Sequence, residues 1–529
     1  MACVSLAAMM VAGCDFVSGG SGESVEVSPD KVSPADLQAA VSDERVKRFY
    51  AARDWAPVWD DRRAGDLTAS FREAVRHGLN PDTFLEGTGK EASPAAREAA
   101  LTLSAIEYAE ALSSGVVDPR KVWEVYTVPM NKVDVLAGLA GAAEAGNVRG
   151  WLAGLAPADA EYRALSDAYM RYRQQAGQEQ NQPIQPGEGI EQGDSDPRVP
   201  QIAEALRRNG YLQPEQPQGE GAADGNAQAE AKQGQANQGQ AKQGQASTRY
   251  TAEMAAAVKK VQEDYGIKPD GIVGNSTLEA LNTGAKERAR ILAVNLERRR
   301  WLERQPSATR IDVNTAAAHL DYYRDGNHRD KRRVVVGQPG WETPQLGSPM
   351  FRLVANPPWT VPKSIAEEEI LPKGAAYMRS QNMTMKDGWI VQAPGPKAAL
   401  GQVKFDMQND HAIYLHDTPA KALFASTDRH ASHGCSRVEG AIEFARMLAQ
   451  DDGKLAEFEK ALATGEETPV QLADKIPVRL LYHSAYLDGG KVVFRTDPYG
   501  WDDKLAQALG FGVSVRPKVE TKHIQDIGP

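Results

Sequence analysis

Cysteine is nearly missing from this 529-residue chain: Cys3, Cys14 and Cys435 are the only three. Thiols so few and so widely separated do not make a disulfide framework, and Cys435 has no partner in the body of the chain. A dense Lys/Arg stripe is also lacking. With a net charge of -10, nucleic acid is excluded as the main partner. The densest basic run, "RDKRR" at 329–333, leads into "VVVG" and reads as the solvated start of a strand. Cys-x-x-Cys and His-x-x-x-His spacings are missing, so a metal is not expected at His416, His430, His433 and Cys435. Nothing in the chain points to an organic cofactor either. No Gly-x-Ser-x-Gly elbow stands between a strand and a helix, which disfavours a serine hydrolase. What remains is ordinary for soluble globular protein, 41% hydrophobic and 25% charged, with length for two to four domains.

The first residues, "MACVSLAAMMVAGCDF", contain an apolar run from Val4 to Ala12 that is too short to span a bilayer. Val11-Ala12-Gly13-Cys14 resembles the lipobox of bacterial lipoproteins, which implies a leader (1–14) that is cut off and lipidation at Cys14, although no Lys or Arg precedes the run. Asp15 resembles an inner-membrane retention signal. "SGGSGESVEVSPD" follows as a flexible tether (15–32). Cys3 would leave with the leader, so Cys435 becomes the lone free thiol. An exported protein with one unpaired thiol suggests a reactive cysteine or an intermolecular bridge, with a buried inert thiol as the alternative.

Residues 33–175 are rich in Ala, Leu, Arg and Glu at helical spacing and are punctuated by Pro57, Pro81, Pro94 and Pro119, which predicts a helical domain. A polar linker follows at 176–195. The stretch 196–283 holds a helical module interrupted at 214–247 by a low-complexity insertion repeating "AKQGQ", predicted to be disordered. Around that insertion, Val261-Gln262, Asp270-Gly271-Ile272-Val273-Gly274, Thr277 and Ala280-Leu281 resemble the small three-helix peptidoglycan-binding module, with an N-cap expected at Asn275 or Ser276. From Ile311 onward short strand-like runs dominate: "RIDVN", "RRVVVG", "MFRLVAN", "GWIVQA", "QVKFDM", "AIYLHD", "PVRLLYH" and "KVVFRT". They predict a mostly β, sandwich- or barrel-like domain at 284–518. A helical, Pro-rich capping insertion at about 356–400 is a candidate lid, and 519–529 form a tail. The fold class expected is a multidomain α+β chain.

Chemistry concentrates around Cys435. "HAIYLHD" alternates, placing Tyr414 and His416 on one strand face. In "RVEGAIEFARMLAQ", Val438, Ile442, Ala445 and Leu448 share a helical face, so Cys435 is expected just before a helix N-terminus that favours its thiolate. A thiol, an imidazole and a helix end are what nucleophilic cysteine chemistry requires.

"IYLHDTPAKALF…RHASHGCSRVE" resembles the catalytic signature of L,D-transpeptidases of the YkuD type, a His-bearing strand followed by S-H-G-C-x-R/N. "VVVGQPGWETPQLGSPMFRLVANPPWTVPKSIA" resembles the larger branch that joins a helical scaffold, a peptidoglycan-binding module and a capped catalytic domain. The low-complexity insertion departs from that pattern. The resemblance implies Cys435 as nucleophile and His416 as general base, oriented through a backbone carbonyl near Asp417, with His433 in support. It implies an oxyanion hole from the N–H groups of Gly434 and Cys435, and Arg437 as partner of a substrate carboxylate. Tyr414 and Trp359 are candidates for lining the substrate groove, or else core aromatics. The implied function is 3→3 cross-linking of peptidoglycan stem peptides, donor and acceptor, in cell wall biogenesis, in the periplasm on a lipid anchor, with sensitivity to carbapenem-type inhibitors. Water or a free D-amino acid as acceptor would make it a carboxypeptidase or exchange enzyme. A non-catalytic peptidoglycan tether is the reading from another class.

Overall fold

The computed structural model describes residues 32–86, 93–177, 183–213 and 247–512. The leader, Cys14, the tether before residue 32, nearly all of the 214–247 insertion and the 519–529 tail lie outside these residues. Among the described residues no helix is long and apolar enough to cross a membrane.

Helices form where the sequence supplies caps. Ser33, Asp43, Asp134, Asp159 and Thr251 each accept a hydrogen bond from an N–H of the first turn that follows, which satisfies donors that helix geometry leaves open. The chain divides into two compact units, and the predicted helical region 33–175 is shared between them. One unit comprises the described residues within 1–72, 81–108 and 134–153; the other comprises 73–80, 109–133 and 154 onward. In the first, Tyr50 donates to Glu98 (2.8 Å) and the Trp59 indole donates to Thr102 (2.8 Å). Tyr50 and Trp59 are thus core residues, and burial raises the Glu98 carboxyl pKa.

In the second unit the helix Ala285–Trp301 is almost wholly buried despite reading "AKERARILAVNLERRRW". Several of its charges are paired: Arg298 with Asp502 at 2.5 Å, Arg290 with Asp503 at 2.6 Å, and Arg300 with Glu297 at 2.5 Å. Three helices, Val199–Arg208, Ala252–Asp264 and Asn275–Asn282, form the small module. Gln262 is its centre. The amide nitrogen donates to Asp270 (3.0 Å), to the Ile272 carbonyl (3.0 Å) and to Thr277 (3.1 Å), while its oxygen accepts from the Gly271 N–H (2.8 Å). The Gln and DGIVG elements of the motif therefore hold the turn in shape. The last helix is capped by Gly274, without a side-chain bond, and not by Asn275 or Ser276.

The β region consists of β1 (Arg310–Asn314), β2 (His319–Arg324), β3 (Asn327–Gly337), β4 (Gly347–Ala355), β5 (Trp359–Thr360), β6 (Met383–Lys386), β7 (Trp389–Gln392), β8 (Val403–Met407), β9 (Leu415–His416), β10 (His430–Ser432), β11 (Ser436–Val438), β12 (Thr468–Leu481), β13 (Ala485–Asp488) and β14 (Lys491–Phe494). The order β3-β11-β9-β8-β4-β12-β1-β2 closes through a β2–β3 pairing, and β10 adds outside β3. Closure into an eight-strand barrel removes the open edges that exposed strands present. Alternate residues, among them Ile311, Val313, Val334, Leu353, Phe405, Leu415, Val438 and Leu480, fill the interior. Phe444 and Leu448 of the helix Ala441–Asp451 pack onto the same core.

The insertion at 356–400 is only partly helical. Short helical turns from Lys363 to Ser380 accompany an antiparallel sheet, β5-β7-β6. Trp359, Ile365, Ile370, Met383 and Ile390 form its own core, against which Trp341 and Tyr414 pack.

Candidate active site

β9 and β11 run parallel, with Leu415 opposite Ser436 and His416 opposite Arg437. Leu415 and Val438 point into the barrel, so alternation puts Tyr414, His416, Cys435 and Arg437 on its outer face. The Ser436 N–H donates to the Tyr414 carbonyl (3.2 Å), which sets Cys435 level with Tyr414 and one step along from the His416–Arg437 pair. The fold thus gathers the motif residues from two segments into one row.

His416 is fully buried, and its Nδ1 lies 2.5 Å from the Asp417 carbonyl oxygen. A carbonyl only accepts, so Nδ1 carries a proton, and in the neutral form of the ring the lone pair is on Nε2. The Asp417 side chain is held separately by Lys421 and by the Gln402 N–H (3.0 Å). The rings of Tyr414 and His416 meet edge to face at 5.7 Å.

Cys435 is 4% exposed, and its Sγ lies 3.6 Å from the Ala412 carbonyl. Burial pushes the thiol up to about 11, opposed by hydrogen bonds from Tyr414 and by the Lys404 and Arg437 charges. The expected helix N-terminus is not next to it. Ser436–Val438 form β11, paired with β3 and β9, and the helix starts only at Ala441. Val438 is therefore a barrel residue, and no helix dipole at the sulfur lowers its pKa.

The loop before the cysteine is locked from below by residues to which sequence reasoning assigned no role. Buried Ser432 donates to the Cys435 carbonyl (2.6 Å) and accepts from the Gly434 N–H (3.3 Å). Buried Thr343 donates to the Gly434 carbonyl and accepts from the Gly337 N–H, both at 2.8 Å. Gly434 has φ +111, a conformation open to glycine and strained for other residues. In this arrangement the Gly434 N–H is engaged by Ser432, whereas the Cys435 N–H makes no hydrogen bond among the described residues. Ser432 lay within the S-H-G-C motif and was the available signal; Thr343 had none.

His433 points the other way. Its Nε2 is 2.6 Å from the Glu369 carboxylate on the π-helical turn Ala366–Ile370 of the insertion, and its ring stands edge to face with Trp341 at 5.0 Å. His430 is turned away from the thiol, contacting Asp428 (2.8 Å) and the Thr315 carbonyl (2.9 Å). Trp359 is 1% exposed in the core of the insertion and lines no open groove in this conformation. Arg437 is equally buried. Tyr414 is half-buried, its hydroxyl pKa raised by burial and by the neighbouring Cys435.

Comparison with known proteins accords with this layout. Residues 308–472 match the model of an "L,D-transpeptidase catalytic domain", 44–169 a "Scaffold domain", and 229–281 a "Putative peptidoglycan binding domain". A curated "Putative L,D-transpeptidase" of Haemophilus influenzae is 34% identical over 221 residues, 37% of this chain and 45% of that protein. The aligned region thus spans less than half of that relative's length. Two solved structures align at low identity: the Ldtfm–avibactam carbamoyl enzyme (TM-score 0.19, 14% identity, 33% of this chain and 49% of that one) and the ertapenem-acylated catalytic domain of the E. faecium L,D-transpeptidase (TM-score 0.18, 16% identity, 32% and 98%). The barrel, its cysteine loop and the matched segment coincide, and residues 308–472 are an L,D-transpeptidase catalytic domain carried on a chain that also has a peptidoglycan-binding domain.

Proposed function

We propose that the chain is a cysteine acyltransferase that forms 3→3 cross-links in peptidoglycan through a thioester on Cys435. The observation that supports this reading is the β9–β11 pairing, which brings the strand of His416 alongside that of Cys435 with both side chains on the outer face of the barrel, and the His416 Nδ1 is bound to the Asp417 carbonyl. His416 Nε2 takes the Sγ proton as sulfur attacks the carbonyl of the third residue of a tetrapeptide stem. The Cys435 N–H faces the developing oxyanion, joined by the Gly434 N–H once Ser432 releases it. The imidazolium returns the proton to the departing D-alanine amine, and the C–N bond breaks to leave the thioester. An amine from a second stem then displaces sulfur. Arg437 serves a stem carboxylate when the insertion opens. Localisation to the periplasm, lipid attachment at Cys14 and the domain boundaries drawn from the sequence are parts of the same proposal.

Mass spectrometry of the protein incubated with a carbapenem, and separately with a tetrapeptide muropeptide, tests it. An adduct on Cys435 that disappears in Cys435→Ser is expected. His416→Ala should lower the acylation rate by at least ~10²-fold, whereas His433→Ala keeps a measurable rate. The opposite order would reverse the assignment of the base, and an inert thiol with retained sacculus binding would leave the tether reading.

A further inference from the structure

A cavity of about 480 Å³ lies where the small three-helix module meets the barrel, on the side of β10. Its size falls within the range of small-ligand sites. The two walls are firmly seated on each other. Arg495 donates from Nη1 to the Asp264 carbonyl (2.5 Å), Tyr265 stacks on Phe494 at 6.0 Å, and Gly266, at φ +66, lets the backbone pass where a Cβ would lie 3.1 Å from Arg495. The cavity is therefore preformed.

Its chemistry is mixed. Arg495 lines it and, among the described residues, makes no ion pair; its contacts are Nη1 to two backbone carbonyls and its stacking over Tyr486. Arg429 lines it too, its guanidinium engaged by backbone carbonyls; Asp428, Glu279, Asp497 and Asp503 bring carboxylates, and Tyr265, Tyr499 and His430 supply ring surfaces. The carboxylates oppose a phosphate or other simple anion, the guanidinium opposes a cation, and the polar rim opposes an apolar ligand. A neutral molecule rich in hydroxyls and amide carbonyls meets both a donor and acceptors.

We propose that this cleft binds the glycan part of peptidoglycan, with Arg495 donating to acyl and hydroxyl oxygens and Asp428 and Glu279 accepting from hydroxyls. This rests on the cell-wall reading above and adds to it a site apart from the nucleophile. The wall from Asp428 to His430 runs directly into β10, whose last residue, Ser432, holds the cysteine loop. Glycan in the cleft thus touches the same stretch of chain that carries Cys435.

Isothermal titration of the Cys435→Ala chain with a tetramer of N-acetylglucosamine, and with glycan strands freed of stem peptides by an amidase, tests the proposal independently of turnover. Both probes should bind, and Arg495→Gln should weaken binding at least tenfold. Because Arg495 also ties the seam, Thr427→Trp on the exposed rim serves as a second variant and should block binding to a similar extent. No binding by the parent chain, or unchanged affinity in Thr427→Trp, overturns the site. Carbapenem acylation of the unmutated chain is scored separately. Glycan binding without acylation would remove the transpeptidase reading and leave the cleft; acylation without glycan binding would do the reverse.

Discussion

Cys435 illustrates how a single residue's chemistry depends on depth. A buried thiol held up to about 11 is protonated at neutral pH, so nucleophilic attack requires the base at every turnover. Because the imidazole removes that proton, the rate of carbapenem acylation should level off once the imidazole is neutral; a climb approaching tenfold per pH unit through pH 9 would instead mean attack by a thiolate formed without the base. Ser432 is the second residue of consequence. Replacing it with alanine strands the Cys435 carbonyl in a buried site, at a cost of about 1–3 kcal/mol. Thermal melts should show that loss, and the acylation rate should fall by roughly tenfold, in keeping with about 1.4 kcal/mol of lost positioning. The histidines show how much was legible. His416 and His433 both precede the thiol in the sequence, but only the strand pairing shows that His416 shares the barrel face of Cys435, while His433 meets Glu369.

At the scale of elements, most strands were readable, the two-residue β9 among them, but β10 and β11 were not. β1, β3, β4, β8 and β12 announce themselves by apolar alternation. β10 and β11, at three residues each, sit inside a motif whose Gly, Ser and Cys look like loop. They become strands because β3 and β9 offer them backbone partners, which is a long-range property. The same shortfall produced the expectation of a helix directly after the cysteine. The insertion is the other element whose role depends on contacts. Glu369 joins it to His433, and Tyr414 packs between its core and the thiol. Glu369→Ala should release this hold and raise the alkylation rate of Cys435 several-fold, read by mass spectrometry on the Cys435 peptide. An unchanged rate would mean that the insertion closes by apolar packing alone.

At the scale of the whole molecule, buried charge is the surprise. The helix Ala285–Trp301 would pass for a solvated surface helix, yet it is almost wholly buried in the second unit, with Arg290 and Arg298 paired to carboxylates from distant parts of the chain. Removing one partner from such a pair typically costs about 3–5 kcal/mol, because the other is left buried and charged. Two histidines near these arginines are kept neutral: burial and Arg300 lower His77 to about 3, and burial with neighbouring arginines holds His483 well below its ordinary value. Each is neutral in both states above about pH 6.5; below that, the unfolded chain takes up the proton and the folded one does not, so stability falls with pH. In urea titrations the loss between pH 7.5 and pH 5 should shrink by about 2 kcal/mol in His77→Gln, from ~1.4 kcal/mol per unit over the 1.5 or so units below 6.5. An unchanged loss would show that His77 titrates normally in the fold. Composition, motif spacing and local periodicity by themselves determined the order of helical, module and β regions and marked Cys435, His416 and Arg437 as candidates, because those signals lie within short stretches of the sequence. Barrel closure, the contact of His433 with Glu369, the raised thiol and the cleft beside the module were decided only by the tertiary structure, since each depends on which distant backbone or charge is brought alongside and how completely water is displaced from it.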